Sequence, residues 1–366
     1  MIVLTKKINQ QFLLLQAIGI ILVVIGHKNG ISIFFDWFPA YSFHMPLFIF
    51  ISGYFYKSKS DKNLKSFILN KIRNLLVPYF IWNFIYGGII YILKWKNIIE
   101  FGGNFDFRNL FIEPWIGGHQ FVFNLAGWFV LSLFIIQIIY VLTRWFCRHI
   151  HLKNEYIIMG ILLIIGCISV IKANTGDIKG WNLTIVRAMF LLPFYHMGYL
   201  YKEKLEKRDN LNNWIYFLFL FVIQFLLLKK YKVLTFTVVW CNDFNRNNIL
   251  LPYITSITGI MFWLRISKIM LSSTKDSKII SYIGKNTWTI MMHHLFIFFL
   301  INLFISIIAP IIGLEGFNYN QFRNDIYYAY IPGVEQFRLF YVIAGIFVPL
   351  GIKYYLEKLF LKIKLK

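Results

Sequence analysis

The chain has 366 residues, 58% of them hydrophobic, 20% aromatic and only 15% charged. A water-soluble domain carries about 25% charged and roughly 45–50% apolar residues, so composition excludes a soluble enzyme and indicates an integral membrane protein. The net charge of +22, from 38 Lys+Arg against 16 Asp+Glu, would suggest a nucleic-acid partner in a soluble protein. No RNA- or DNA-binding signature accompanies it, and the basic residues sit between apolar runs, where cytoplasmic loops of membrane proteins collect them. The three cysteines, Cys147, Cys167 and Cys241, are scattered, and imply neither a disulfide framework nor a metal site.

A spanning helix needs roughly 17–25 mostly apolar residues. Ten candidates follow in chain order, near 12–28, 40–56, 74–93, 126–143, 156–171, 186–201, 213–228, 249–265, 286–308 and 338–359. The first, "LLLQAIGIILVVIGH", lacks a small-residue cleavage site and reads as a transmembrane helix, not a signal peptide. It places Gln16 and His27 eleven residues apart. Eleven steps of ~100° bring them to within ~20° on one stripe, separated by about 16 Å along the axis. The second, "FHMPLFIFISGYFYK", opens an apolar run on His44 after a short loop, so His27 and His44 are expected at the same aqueous edge.

Arg73 precedes "LLVPYFIW" after a lysine-rich loop, where a snorkelling, positive-inside role accounts for it. Arg187 lies within "LTIVRAMFLLPFYHMGYL", on the side where positive charge is scarce; His196, deeper in the same run, reads as structural. His293 and His294 sit about 11–14 Å into the ninth run, and because adjacent helical residues diverge by ~100°, one of the two is expected to face the bundle interior. Intramembrane ionisable groups are costly and mark functional sites; the structural alternative for His27 and His44 is a pair of satisfied interfacial histidines. With the N-terminus placed in the cytoplasm, 25 basic residues fall inside and 13 outside, which predicts both termini cytoplasmic. The longest outer segments, 94–125 and 309–337, read as re-entrant or lid-like. The expected fold is a single all-α transmembrane bundle of about ten helices over residues 1–366, with no internal repeat.

Six phrases carry a resemblance. "VVIGH" is similar to the end of the opening helix of the acyltransferase-3 family, and "FHMPLFIFISGYFYK" resembles its "HMPLFFFISGYL" phrase. "KIRNLLVPYFIW", "GWFVLSLFIIQIIY", "RAMFLLPFYHMGYLYKEK" and "YIGKNTWTIMMHHLF" resemble four further phrases in the family's order. The chain thus resembles acyltransferase-3 proteins over nearly its whole length, especially the bacterial sugar O-acetylases. It departs at Gln16, where the family often carries Arg or Lys, and no fused esterase-like domain is expected within these residues.

The resemblance implies a multi-pass enzyme of the bacterial plasma membrane. It would move acetyl, or a similar acyl group, from cytoplasmic acyl-CoA to a hydroxyl of a surface glycan or its lipid-linked precursor. Acetyl-CoA would be a co-substrate, with no permanently bound cofactor and no metal. His27 would be the base, helped or oriented by His44, with a transient acyl-histidine as a variant. Arg187 or His294 would stabilise the thioester oxyanion, and Gln16 and Arg73 would support donor binding, Arg73 with the lysines of residues 57–71. Trp128 would line the acceptor cavity. The competing class is a glycan or lipid exporter of the same architecture, with a midplane site.

Overall fold

The computed structural model describes residues 9–28, 37–176, 178–244 and 248–364. Lys6, Lys7, Arg246 and Lys366, counted above for topology, lie outside the described residues, as does most of the loop joining the first two predicted spans. The described chain is 77% helical without a β-strand; one isolated bridge pairs Thr237 with Asn242. Among the described residues, eight helices are long and apolar enough to cross a membrane: α3 (Leu64–Trp95), α4 (Val122–His149), α5 (Glu155–Thr175), α6 (Trp181–Arg208), α7 (Asn213–Tyr231), α8 (Leu251–Thr274), α9 (Thr287–Ile312) and α10 (Glu335–Lys362). Two shorter helices precede them, α1 (Gln10–Gly26) and α2 (His44–Tyr54). This is an all-α, multi-pass membrane bundle.

The second predicted span is shorter than expected. Its helix has 11 residues, about 16 Å of axis, against a hydrocarbon core of ~30 Å. The reason is packing: most of α2 is buried by protein, and non-helical backbone is tolerated at membrane depth where protein encloses it. The third span is longer than predicted and contains a π turn at Ile72–Leu76. Pro78 follows it; proline lacks an N–H and clashes with the carbonyl four residues back, and a widened turn absorbs that misfit.

Pair contacts fix helix direction. Gly19 meets Leu47 and Phe48, Gly26 meets Tyr41, and Phe12 stacks on Tyr54, so α1 and α2 run antiparallel. Asn286 bonds Lys353, His294 packs on Gly345 and Asn302 bonds Tyr341, so α9 and α10 also run antiparallel. One end of the bundle therefore gathers Gln10, the Lys57–Lys71 segment, Asn286 and Lys353. The opposite end gathers His27, Tyr41, Asn302 and Tyr327.

Burial ranks the helices. In α6, 83% of the most apolar window is buried, against 17% in α7, which places α6 centrally and α7 at the rim with Leu218, Phe219, Phe225 and Leu226 exposed. Without a hydrophobic drive between helices in lipid, close backbone approach through small residues becomes the adhesive. α2 and α6 use it. A Cβ on Gly53 would stand 1.8 Å from the Tyr195 carbonyl oxygen, and one on Gly198 1.9 Å from that of Phe50. This crossing presses α2 against the centre of the bundle and positions His44 at its head.

Candidate active site

A cavity of about 1020 Å³ runs through the bundle. Gln16, Ile20, Val23 and His27 of α1 and His44, Phe48 and Ser52 of α2 line its length. Lys57, Asn70 and Lys71 line one end, and Tyr41, His119, Trp240 and Tyr327 the other. Lys57 and Lys71 are the only charged residues among the described lining. His27 and His44 thus share one cavity.

Hydrogen bonds assign the imidazole tautomers. His294, fully buried in α9, has Nδ1 2.9 Å from the Ile290 carbonyl. A carbonyl only accepts, so Nδ1 carries the hydrogen and Nε2 of neutral His294 carries the lone pair. That Nε2 lies 2.6 Å from Nδ1 of His27, with the rings only 4° from parallel. His27 must then donate from Nδ1, which leaves its Nε2 as a lone pair. His44 donates from Nδ1 to the Ala40 carbonyl at 2.5 Å, and its Nε2 is likewise a lone pair. The helices explain the placement: α1 ends at Gly26, whose carbonyl accepts from the Tyr41 hydroxyl at 3.0 Å, and His27 is its C-cap.

The next residue is also buried. Lys28 donates to the carbonyls of Tyr327 and Tyr328 at 3.2 Å each, and its ammonium lies 4.6 Å from the Phe298 ring centre and 4.8 Å from that of Tyr341. It ties the segment carrying Tyr327 to the end of α1, where the Tyr327 ring lies 6.1 Å from that of His27.

Other expected residues take different positions. His294 has no donor to spare for an oxyanion, because Nδ1 is committed to Ile290 and Nε2 accepts from His27; it orients His27. Arg187 does not line the cavity. Its guanidinium is spent on backbone, with Nε 2.7 Å from the Val239 carbonyl and the terminal nitrogens 3.3 and 3.4 Å from that of Gly117. It also lies 4.9 Å from the ring centre of Trp128, which does line the cavity. Arg73 is exposed and off the cavity wall. His293 pairs with the Tyr86 hydroxyl at 2.6 Å, and His196 with Tyr140 at 2.9 Å and the Glu155 carbonyl at 3.0 Å.

Gln16 faces the cavity without a hydrogen bond to any described residue, so its amide is available to a bound molecule. Gln16→Leu should leave folded yield unchanged and raise the KM for an acyl donor about tenfold, the loss of one hydrogen bond. A drop in folded yield with an unchanged KM would make it a packing position instead.

His119, Trp240, Tyr41, Lys28 and Tyr327 were not visible as site residues in the sequence. They sit in connecting segments or just past a helix end, and no periodic signal marks such positions. Burial pushes His119 down to about 4, with Arg187 adding to the shift, so this imidazole is neutral at physiological pH.

The acyltransferase-3 family profile, described as an acyltransferase domain, matches residues 9–358. The chain belongs to the acyltransferase-3 family. No curated protein and no solved structure matches it. The acyltransferase-3 match covers nearly the whole helical bundle, so the cavity and its histidine pair lie within the family domain.

Proposed function

We propose that this membrane acyltransferase is an O-acyltransferase that transfers acetyl, or a similar acyl group, from acyl-CoA to a hydroxyl of a surface glycan or its lipid-linked precursor. The observation that carries the proposal is His27 itself, a neutral imidazole on the long cavity whose Nδ1–H is held by His294. The acceptor hydroxyl attacks the thioester carbonyl while Nε2 of His27 takes its proton. The tetrahedral intermediate collapses with cleavage of the C–S bond, and the departing CoA thiolate takes the proton back from His27. The products are an ester and the free thiol. A general base placed in this way contributes about 10²–10⁴-fold. His294 keeps the lone pair of His27 on Nε2 and accepts from the imidazolium formed in the step, the role that an orienting group plays in nucleophile–base constellations. His44 adds a second lone pair to the cavity and serves as an acceptor.

The two ends of the cavity suit two substrates. Lys57 and Lys71 attract the phosphates of CoA. Between them and His27, the Gln16 amide can donate to an amide carbonyl of the pantetheine arm. The basic end is the cytoplasmic one in this reading, in a bacterial plasma membrane with both chain termini inside.

A second reading rests on the same cavity, whose lining reaches from one end of the bundle to the other and could serve as the enclosed site of a glycan exporter. Purified protein given acetyl-CoA and a panel of sugar acceptors separates the two. Thiol release that depends on the sugar supports transfer; sugar movement across vesicles without thiol release supports export. Topology has its own test. A cysteine at Ser60, on the basic end, should resist an impermeant thiol reagent in intact cells, while one at Asn320 should be labelled. The reverse pattern would separate the basic end from cytosolic CoA.

A further inference from the structure

The end of the cavity opposite Lys57 and Lys71 contains an aromatic pair that the transfer chemistry does not use. Trp240 and His119 stack with ring centres 4.3 Å apart and planes 28° from parallel. Both line the cavity, and Trp240 stays 43% exposed although His119 covers one of its faces. Tyr41, Tyr327 and Thr237 also line the cavity.

The pair is held rigidly. Val239 precedes Trp240, and Gly117 lies two residues before His119. Arg187 donates to both of their carbonyls, so one buried guanidinium fixes two separate connecting segments at once. His119 is fixed further by donating from Nδ1 to the Gly117 carbonyl at 3.0 Å. The turn that carries Trp240 is closed by the Thr237–Asn242 bridge. Rigid aromatic surface in a concave site is the usual makings of a small-molecule pocket, with a few polar groups to set orientation.

We propose that the Trp240–His119 stack is the acceptor subsite and that it takes an uncharged pyranose ring, laid by its C–H face on the indole. This deepens the O-acyltransferase reading and rests on it for the meaning of "acceptor". The weakly positive C–H edges of a sugar's apolar face meet the negative face of an aromatic ring, and the hydroxyls at the ring's rim reach Thr237, Tyr41 and Tyr327. Charge argues for a neutral sugar. No described lining residue at this end is a cation: Arg187 spends its donors on carbonyls, Lys28 is buried against Phe298 and Tyr341, and the lining lysines are at the far end. An anionic sugar would find no cation on this wall to pair with directly, because Arg187 lies behind it with its donors turned to backbone.

Saturation-transfer NMR on the detergent-solubilised full chain, without acyl donor, tests the subsite directly. The probes are methyl glucoside, methyl N-acetylglucosaminide and methyl glucuronide. At least one neutral hexoside should give a signal on its ring C–H protons, and the glucuronide a weaker one. Trp240→Ala should cut the neutral signal at least fivefold, and Trp240→Phe should retain most of it. Thiol release from acetyl-CoA is measured on the same variants, with Trp240→Ala expected to raise the KM for the sugar about tenfold and leave that for acetyl-CoA unchanged. An unchanged signal in Trp240→Ala, a preferred glucuronide, or silence from both neutral hexosides would overturn the subsite. The same holds if Trp240→Ala only lowers membrane insertion, as a membrane-interface anchor would. Sugar binding that depends on Trp240 with no thiol release in the wild type would leave the subsite standing and overturn transfer instead.

Discussion

His27→Ala is expected to lower acyl transfer by about 10²–10⁴-fold, the usual contribution of a positioned general base, with expression and membrane insertion unchanged. The side chain lines a cavity and its backbone only caps α1, so truncation removes chemistry and little packing. His294→Ala tests how the base is oriented. It removes the acceptor that holds the Nδ1–H of His27 at 2.6 Å, which frees the imidazole to rotate and to populate the other tautomer. Transfer should fall by at least tenfold, and His294→Gln, whose amide oxygen also accepts, should recover part of it. His44→Ala is the companion variant and should also remove most transfer. Steady-state thiol release with acetyl-CoA measures all four. Near-normal transfer in both His27→Ala and His44→Ala would remove the acid–base assignment altogether.

Gly198→Val should abolish folding. A Cβ at this position would stand 1.9 Å from the Phe50 carbonyl oxygen and 2.7 Å from the Tyr54 amide nitrogen. Both are backbone atoms of α2, so no rotamer change relieves the clash; α2 and α6 would have to separate along the tightest crossing in the core. Overpacking a well-packed core costs about 1–3 kcal/mol even where side chains can yield, and here they cannot. Gly160→Ala is the control, because a Cβ there meets nothing within 4 Å. Folded yield by size-exclusion chromatography should collapse for Gly198→Val and stay at wild type for Gly160→Ala. Equal yields would mean that α2 and α6 do not approach as described, and the placement of His44 would lose its support.

Much of the fold is written in the sequence. Apolar run lengths mark the membrane spans because a hydrocarbon core demands a minimum length of unbroken helix. Ionisable residues within those runs stand out because burying them in lipid is costly, and so His27, His44 and one member of the 293/294 pair emerge as candidates. Adjacent helical residues diverge, as the geometry requires, but both histidines find protein partners instead of one alone: His294 turns to His27 while His293 turns to Tyr86. Arg187 drew attention for the same reason, yet its position alone could not reveal its role. Whether a buried guanidinium faces a cavity or two backbone carbonyls depends on connecting segments far off in sequence, around Gly117 and Val239.

The amino-acid order alone marks a multi-pass helical membrane protein that resembles the acyltransferase-3 family, and it singles out the intramembrane histidines, because hydrophobic length and polar intrusion are local properties that one chain displays in order. Helix packing settled the rest: that α2 is a short helix enclosed by protein, that His294 and not His44 holds His27, that Gln16 has no partner among the described residues, and that Trp240 and His119 share one wall. Each of those facts is a meeting of residues from tens to hundreds of positions apart, brought about by helix packing, and packing leaves no periodic trace in the connecting segments where most of these side chains lie.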